Sequence, residues 1–473
     1  MSVAEMPRLT TKEKIKWFIL LAIIAILAII PCGPTYTFQV KEFFIIAIAG
    51  IYMMAVELVP VYIAAILMPV AYWLLNVAPA TVVFGAWTQE VPWVLLGSLF
   101  VAVIMNKTGL SKRLAYGLML VGRGNFYVVC IMLVVAGAIL ASFIPAATAR
   151  AALFGSIALS LTNAMGWEKN KKHAILLFSC ITMVATGTSY MVMTGTNSSL
   201  VVAGVLESAG FPITWAQWAL YCVVPGVIEV VIVLLILFFA FRKYDTGSTK
   251  EMDSKTMHAY IKEQYKTLGT PNRQEKKAIA LFIIILLLLL TSKYHSLTPG
   301  KVFMLMSMIA FLPGVNLLNA KEGKNVDYSM VFLVTSCVAI GDVANELGLG
   351  QTFVETITPM LPHSIFGIAA VVYLICFLGN MLMTPVALGS AFALPIINIA
   401  LSMDMNPFGI TLLWWTACAA TVFPYENTGD LLVFSYGQMS MKNWIIVGII
   451  RSGVLFFGRF ILYIPWFTLI GIL

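Results

Sequence analysis

The sequence predicts an all-α polytopic membrane protein, with about 11 transmembrane helices and two re-entrant hairpins arranged as an inverted two-fold repeat. Composition, the placement of charge and a repeated order of parts lead to that prediction. Of 473 residues, 60% are hydrophobic and 11% charged, against roughly 45–50% and 25% in an ordinary soluble domain. A water-soluble fold of this size cannot hide so much apolar side chain behind so few charges, so lipid is the solvent.

Lys and Arg number 29 against 21 Asp and Glu. An excess of this kind can mark a nucleic-acid binder, but here the charges sit at the ends of apolar segments. No basic run with interleaved aromatics is present, so nucleic acid is excluded as a partner and the bilayer takes its place. The seven cysteines are scattered singly and no CxxC or His-rich spacing occurs, so neither a disulfide frame nor a metal site is expected. Histidines 173, 258, 295 and 363 fall at segment ends or in loops.

The first element needs separating from a signal peptide, because Arg8, Lys12, Lys14 and Lys16 precede an apolar run to Ile30. No small-x-small cleavage site follows, and Ile29 and Ile30 are too bulky for lipidation at Cys32, so a retained helix is expected. Simple spans follow at residues 16–31, 41–56, 59–77, 91–106, 214–242, 278–294, 300–318, 328–346 and 443–470. Stretches 173–208 and 408–437 are too long for one crossing and are broken, at Thr194-Gly195-Thr196-Asn197 and between Pro424 and Asp430. Stretches 126–165 and 363–402 carry Pro145 and Pro385 near their centres, which makes each a hairpin returning to its own side.

Charge parity tests this topology. With the N-terminus cytoplasmic, all basic residues but six fall in or beside the predicted cytoplasmic segments 1–15, 107–125, 166–172, 243–277, 319–327 and 438–442. The exceptions are Lys41, Lys293 and Lys301 outside and Arg150, Arg451 and Arg459 within spans. Had either hairpin crossed fully, the downstream charges would be on the wrong side. The C-terminus is then outside, and a cell (inner) membrane is the expected location. Residues 243–277 read as a charged linker, a solvated helix pair too short to bury a core of its own.

Asn106-Lys107-Thr108-Gly109-Leu110 closes a span ahead of one hairpin and one broken helix, and Asn345-Glu346-Leu347-Gly348-Leu349 does the same in the second half. One hairpin enters from each side, so the two copies are inverted, an architecture of secondary transporters. The expected parts are a scaffold part at 1–125, a first transport part at 126–242, the linker at 243–277, further scaffold at 278–346 and a second transport part at 363–473.

Charges at membrane depth are costly and therefore candidates for function. Arg150 lies just past Thr148 at the first hairpin tip, and Glu426 and Asp430 lie in the second helix break. The expectation is that Arg150 holds an anion through its planar fork of donors, with Glu426 neutralising it when the site is empty. The structural alternative is a bracing ion pair of Arg150 with Glu426 or Asp430. Arg451 and Arg459 read as structural, Glu57 and Glu90 as interfacial, and Asp342 and Glu346 as scaffold polar contacts. Half-helix ends at the breaks offer N–H groups to an oxyanion, leaving Asn197, Ser198 and Thr428 either to refine selection or to cap the helices.

Four segments, Glu57-Leu58-Val59-Pro60, the run from Trp93 to Phe100, the run from Asn106 to Leu114, and Thr148-Ala149-Arg150-Ala151-Ala152, resemble the divalent anion:sodium symporter family along nearly the whole chain. The resemblance implies an elevator-type transporter of di- and tricarboxylates or sulfate, generally homodimeric, with a Ser-Asn-Thr at each hairpin tip and a Thr-Pro-Pro-Asn-like helix break. Here the tips read Ala146-Ala147-Thr148 and Leu382-Met383-Thr384, and the breaks Gly195-Thr196-Asn197-Ser198-Ser199 and Asn427-Thr428-Gly429-Asp430. Ala147 and Met383 supply no oxygen to a hard cation, which argues against sodium coupling.

The substrate-binding candidates are therefore Thr148, Arg150, Asn197, Ser198, Thr384, Asn427 and Thr428. Ser142, Gly195, Thr196, Glu426 and Asp430 are the candidates for ion or proton coupling, with any sodium at Ser142, Gly195 and Thr196; no other cofactor is expected. The expected function is alternating-access carriage of a small dicarboxylate-like anion, coupled to exchange or protons. A sodium/proton antiporter or arsenite-type permease is the alternative, disfavoured by Arg150. An enzyme is disfavoured by the lack of any catalytic constellation in the spans.

Overall fold

The computed structural model describes residues 10–33, 36–56, 58–244, 254–295, 297–349, 359, 361–362 and 364–473. Glu57, His363 and residues 245–253 of the linker lie outside the described residues. The described chain is helical without strands, as lipid demands of a backbone that must satisfy its own polar groups. Seven of its helices are long and apolar enough to cross a membrane, and four shorter apolar helices accompany them.

Local chemistry sets the boundaries. Thr10 and Glu13 form a capping box that starts the first helix, Thr11–Ile29, several residues ahead of the apolar run. Gly109, at φ 75°, ends Glu90–Thr108 in the left-handed conformation that glycine adopts without strain. An amphipathic helix, Leu110–Val121, follows within the segment 107–125 that the sequence marked only as cytoplasmic. Asn125 then caps the first hairpin helix by accepting from the Tyr127 and Val128 amides.

Both hairpins are present. The first pairs Phe126–Ala141 with Ala147–Met165, and the second pairs Ile365–Leu382 with Pro385–Ser402. Both long spans are also broken, the first restarting at Asn197–Ser208 and the second at Thr428–Ser435. The final span runs from Met441–Gly458 through a π-helical turn, Arg459–Tyr463, into Ile464–Leu469.

Packing follows a two-fold exchange between the halves. Glu90–Thr108 packs on Pro299–Phe311, while Ser329–Glu346 packs on Val61–Leu74. Asn197–Ser208 packs on the second hairpin's Pro385–Ser402, and Thr428–Ser435 on the first hairpin's Ala147–Met165. Each repeat's hairpin is thus covered by the other repeat's half-helix. The buried cysteines instead pair within each half, with Cys130 beside Cys180 in the first and Cys376 beside Cys418 in the second.

The linker is docked on one face. Its helix Ser254–Thr267 buries Met257 and Ile261 against Leu110–Val121. Arg113 donates to the Leu268 and Gly269 carbonyls at 3.1 and 3.0 Å, and it pairs with the Glu275 carboxylate. Glu90 is half-buried rather than solvated, accepting from the Thr298 hydroxyl at 2.5 Å and the Gly300 amide at 2.9 Å.

A close helix-to-helix backbone approach lies at Gly97, where an added Cβ would be 2.6 Å from the Phe303 carbonyl carbon. Backbone cannot yield as a side chain can, so Gly97→Leu should cost at least the roughly 1–3 kcal/mol of ordinary overpacking. A lowered melting temperature and a loss of monodisperse protein on size-exclusion chromatography are expected, and an unchanged melting temperature would contradict this packing.

Candidate functional site

A helix broken at membrane depth exposes orphan carbonyls on one side of the break and orphan N–H groups on the other, and no water is at hand to satisfy them. At the first break Lys172–Thr182 loosens into a π-helical turn, Met183–Gly187, and a short turn, Ser189–Met191. Arg150, fully buried, is aimed at this turn. Its guanidinium donates to the Val184 carbonyl at 3.3 Å and the Ala185 carbonyl at 3.0 Å, and also to the Ile144 carbonyl of its own hairpin tip and the Ser189 hydroxyl.

The second break receives the same treatment from a neutral donor. Pro407–Trp415 tightens into Thr416–Ala419, and Asn380 donates its amide to the Cys418 carbonyl at 3.0 Å and the Ala420 carbonyl at 3.4 Å. Asn380 is buried, three residues ahead of Met383 in the second tip. Its signal in the sequence was a lone asparagine within an apolar hairpin helix.

The N-terminal sides of the breaks are capped by residues expected to bind ligand. Thr196 accepts from the Ser199 amide at 2.9 Å, and its hydroxyl also meets the Ser198 and Ser199 hydroxyls at 3.0 and 2.9 Å. Asn427 accepts from the Gly429 amide at 2.8 Å, and Thr384 from the Ala387 amide at 3.4 Å. Asn197 turns its amide donor to the Met330 sulfur at 3.6 Å and keeps its buried side-chain oxygen without a protein partner. Thr148 and Thr428 are exposed. The Ser142 carbonyl is taken by the Thr194 hydroxyl at 2.8 Å. At Gly195 an added Cβ would fall 1.8 Å from the Ser189 carbonyl oxygen, so only glycine fits that close approach.

The expected pairing of Arg150 with Glu426 or Asp430 does not occur. Glu426 folds back on its own turn, accepting from the Val422 and Phe423 amides, the latter at 2.9 Å. Asp430 pairs instead with Arg451 at 3.0 Å. The expected fork on an anion is corrected as well, because carbonyls and a hydroxyl surround the guanidinium and none of it is exposed.

Arg451 is more than a local structural residue. It donates to the Thr186 hydroxyl at 3.0 Å in the first break and to the Thr421 carbonyl at 3.0 Å in the second. Thr186 also meets Asp430 at 3.1 Å, while the Thr421 hydroxyl donates to Asp430 at 2.6 Å. One ion pair therefore ties both breaks together. Arg459 pairs with Glu229 of the helix Trp215–Ala240 at 2.6 Å and donates to the Thr416 hydroxyl and the Leu413 carbonyl. Glu229 is a lone carboxylate within an apolar run, the usual sequence signal of an intramembrane partner.

Comparison with known proteins places this geometry. The family described as "Sodium:sulfate symporter transmembrane region" matches residues 11–473. The chain belongs to that family, the divalent anion:sodium symporters. It is 22% identical over 410 residues to Inner membrane protein YbhI of Escherichia coli, covering 82% of each chain. It is 22% identical over 400 residues to Dicarboxylate transporter 2, chloroplastic, of Spinacia oleracea, covering 78% of this chain and 70% of that one. A solved structure, the YdaH transporter of Alcanivorax borkumensis, overlaps 98% of both chains at a TM-score of 0.49 and 12% identity. The protein is an integral membrane transporter of anions and not an enzyme.

Within this family member the Asp430 and Arg451 pair has a measurable weight. Arg451→Ala would leave a buried carboxylate facing only hydroxyls, at a cost of about 3–5 kcal/mol. A sharp fall in melting temperature is expected, with Arg451→Ala and Asp430→Asn together less damaging than their summed single effects. Strict additivity would show that the two side chains are not coupled.

Proposed function

We propose that the protein exchanges small dicarboxylates across the membrane with a built-in guanidinium in the place of a coupling cation. The observation that carries this reading is Arg150, whose positive charge has no acidic partner among the described residues and is spent on carbonyls of the first tip and first break. Such carbonyls are the ligands a sodium ion seeks at a helix break. At the positions expected for sodium, the Ser142 carbonyl and the Thr196 hydroxyl each already accept from a protein donor, which supports a site built without a carried ion. Asn380 fills the corresponding role at the second break.

An anion is favoured in front of this charge. The hairpin helix Ala147–Met165 starts at Ala146, which has no side-chain oxygen to cap it, so its first N–H groups are free to meet an oxyanion. Gly429 brings the second break against this end, since an added Cβ there would lie 3.1 Å from that of Ala147. We assign one carboxylate of the substrate to the Thr148 and Thr428 hydroxyls with these amides, and the other to Asn197, Ser198 and Thr384. Arg150 acts through the field it sets up in a low-dielectric interior. The relative named a dicarboxylate transporter supports this substrate class.

The same reading has hairpin-bearing parts moving past a scaffold in an elevator homodimer. It puts the N-terminus in the cytoplasm and the C-terminus outside, and it gives Glu426 and Asp430 no carried cation.

In proteoliposomes, uptake of labelled succinate should require internal dicarboxylate and proceed at the same rate when sodium is replaced by choline. Arg150→Ala should lower exchange at least 10-fold while the protein remains inserted and monodisperse. Uptake into anion-free vesicles that needs a sodium gradient would overturn the exchange reading.

A further inference from the structure

A small cavity of about 20 Å³ lies between the two breaks and the helices Trp215–Ala240 and Met441–Gly458, lined by Gly187, Tyr190, Glu229, Thr416, Arg451 and apolar neighbours. Two of its walls carry polar atoms with no protein partner: the Tyr190 hydroxyl and the Arg451 Nε–H. Both residues are 2% exposed. A third wall is the Glu229 carboxylate, whose pairing with Arg459 uses one oxygen. A buried hydroxyl or guanidinium N–H left unpaired is costly, and a polar cavity of at least 10–15 Å³ with two or more hydrogen-bonding walls is where a buried water resides.

We propose that this cavity is a binding site for one ordered water, which accepts from Arg451 Nε–H, shares a hydrogen bond with the Tyr190 hydroxyl and donates to Glu229. The water joins two ion pairs that otherwise stand apart, Asp430 with Arg451 and Glu229 with Arg459. Its consequence is a single polar network that runs from the first break through the last span to the helix Trp215–Ala240.

Tyr72 provides an internal control, since its hydroxyl is also buried and unpartnered but it lines none of the cavities described. Radiolytic hydroxyl-radical labelling of the intact, reconstituted protein in H₂¹⁸O reads out water held against a side chain. Tyr190 should be oxidised, with ¹⁸O incorporation lagging behind that of exposed tyrosines, while Tyr72 stays unmodified. Equal protection of Tyr190 and Tyr72 would overturn the proposal. In a second measurement, Tyr190→Phe removes one hydrogen bond from a wet site but relieves an unpaired hydroxyl in a dry one. The wet site predicts a melting temperature lowered by about 2 °C; an unchanged or raised value counts against the water.

Discussion

Satisfying the backbone carbonyls at two breaks inside lipid is the constraint on which the arrangement depends. A continuous helix would need no outside donors, but it would also offer no half-helix end to an anion. This chain closes the carbonyl side with side chains. Arg150 and Asn380 do so directly, Arg451 reaches the Thr421 carbonyl, and Arg459 reaches Leu413. Three guanidiniums within the spans, each at most 2% exposed among the described residues, would be prohibitive if each needed a carboxylate. Two have one, and the third is held by aligned carbonyl dipoles.

That difference divides the charged residues by role. Arg451 and Arg459 are matched by Asp430 and Glu229, so they brace helices against one another. Of the three, Arg150 is the one whose charge is uncompensated by an acid among the described residues, immediately behind the first hairpin tip. An arginine has donors in a fixed fork and stays protonated, so it serves as a cation that never leaves. In our proposal, a site with a resident cation needs no ion to follow the substrate, and the return step requires another anion.

Much of the fold was legible in the sequence because lipid leaves few choices. Apolar length, Pro145, Pro385 and the polar break at Thr194-Gly195-Thr196-Asn197 located the hairpins and the first discontinuity, and the structure contains each. The helix Leu110–Val121 was missed because its amphipathic pattern is short and follows a charged turn. The site was only half legible. Residue types announced that Arg150 mattered, but partner choice depends on which carbonyls a break sets free, and no spacing rule supplies that. The sequence pointed Asp430 toward Arg150, whereas the bundle brings Arg451 from the last span to it. Thr196, Asn427 and Thr384 carry both a capping role and a candidate binding role, since a helix restarting at a polar break needs a cap whatever it binds.

The central claim is that the guanidinium of Arg150 stands where a carried cation would otherwise be required. By linkage, a cation that shares the site must raise substrate affinity. The most direct measurement is equilibrium binding of succinate to the purified protein, followed by intrinsic tryptophan fluorescence at constant ionic strength in sodium and in choline. Equal dissociation constants within about two-fold (under roughly 0.4 kcal/mol) are expected, whereas binding ten-fold or more tighter in sodium would contradict the account.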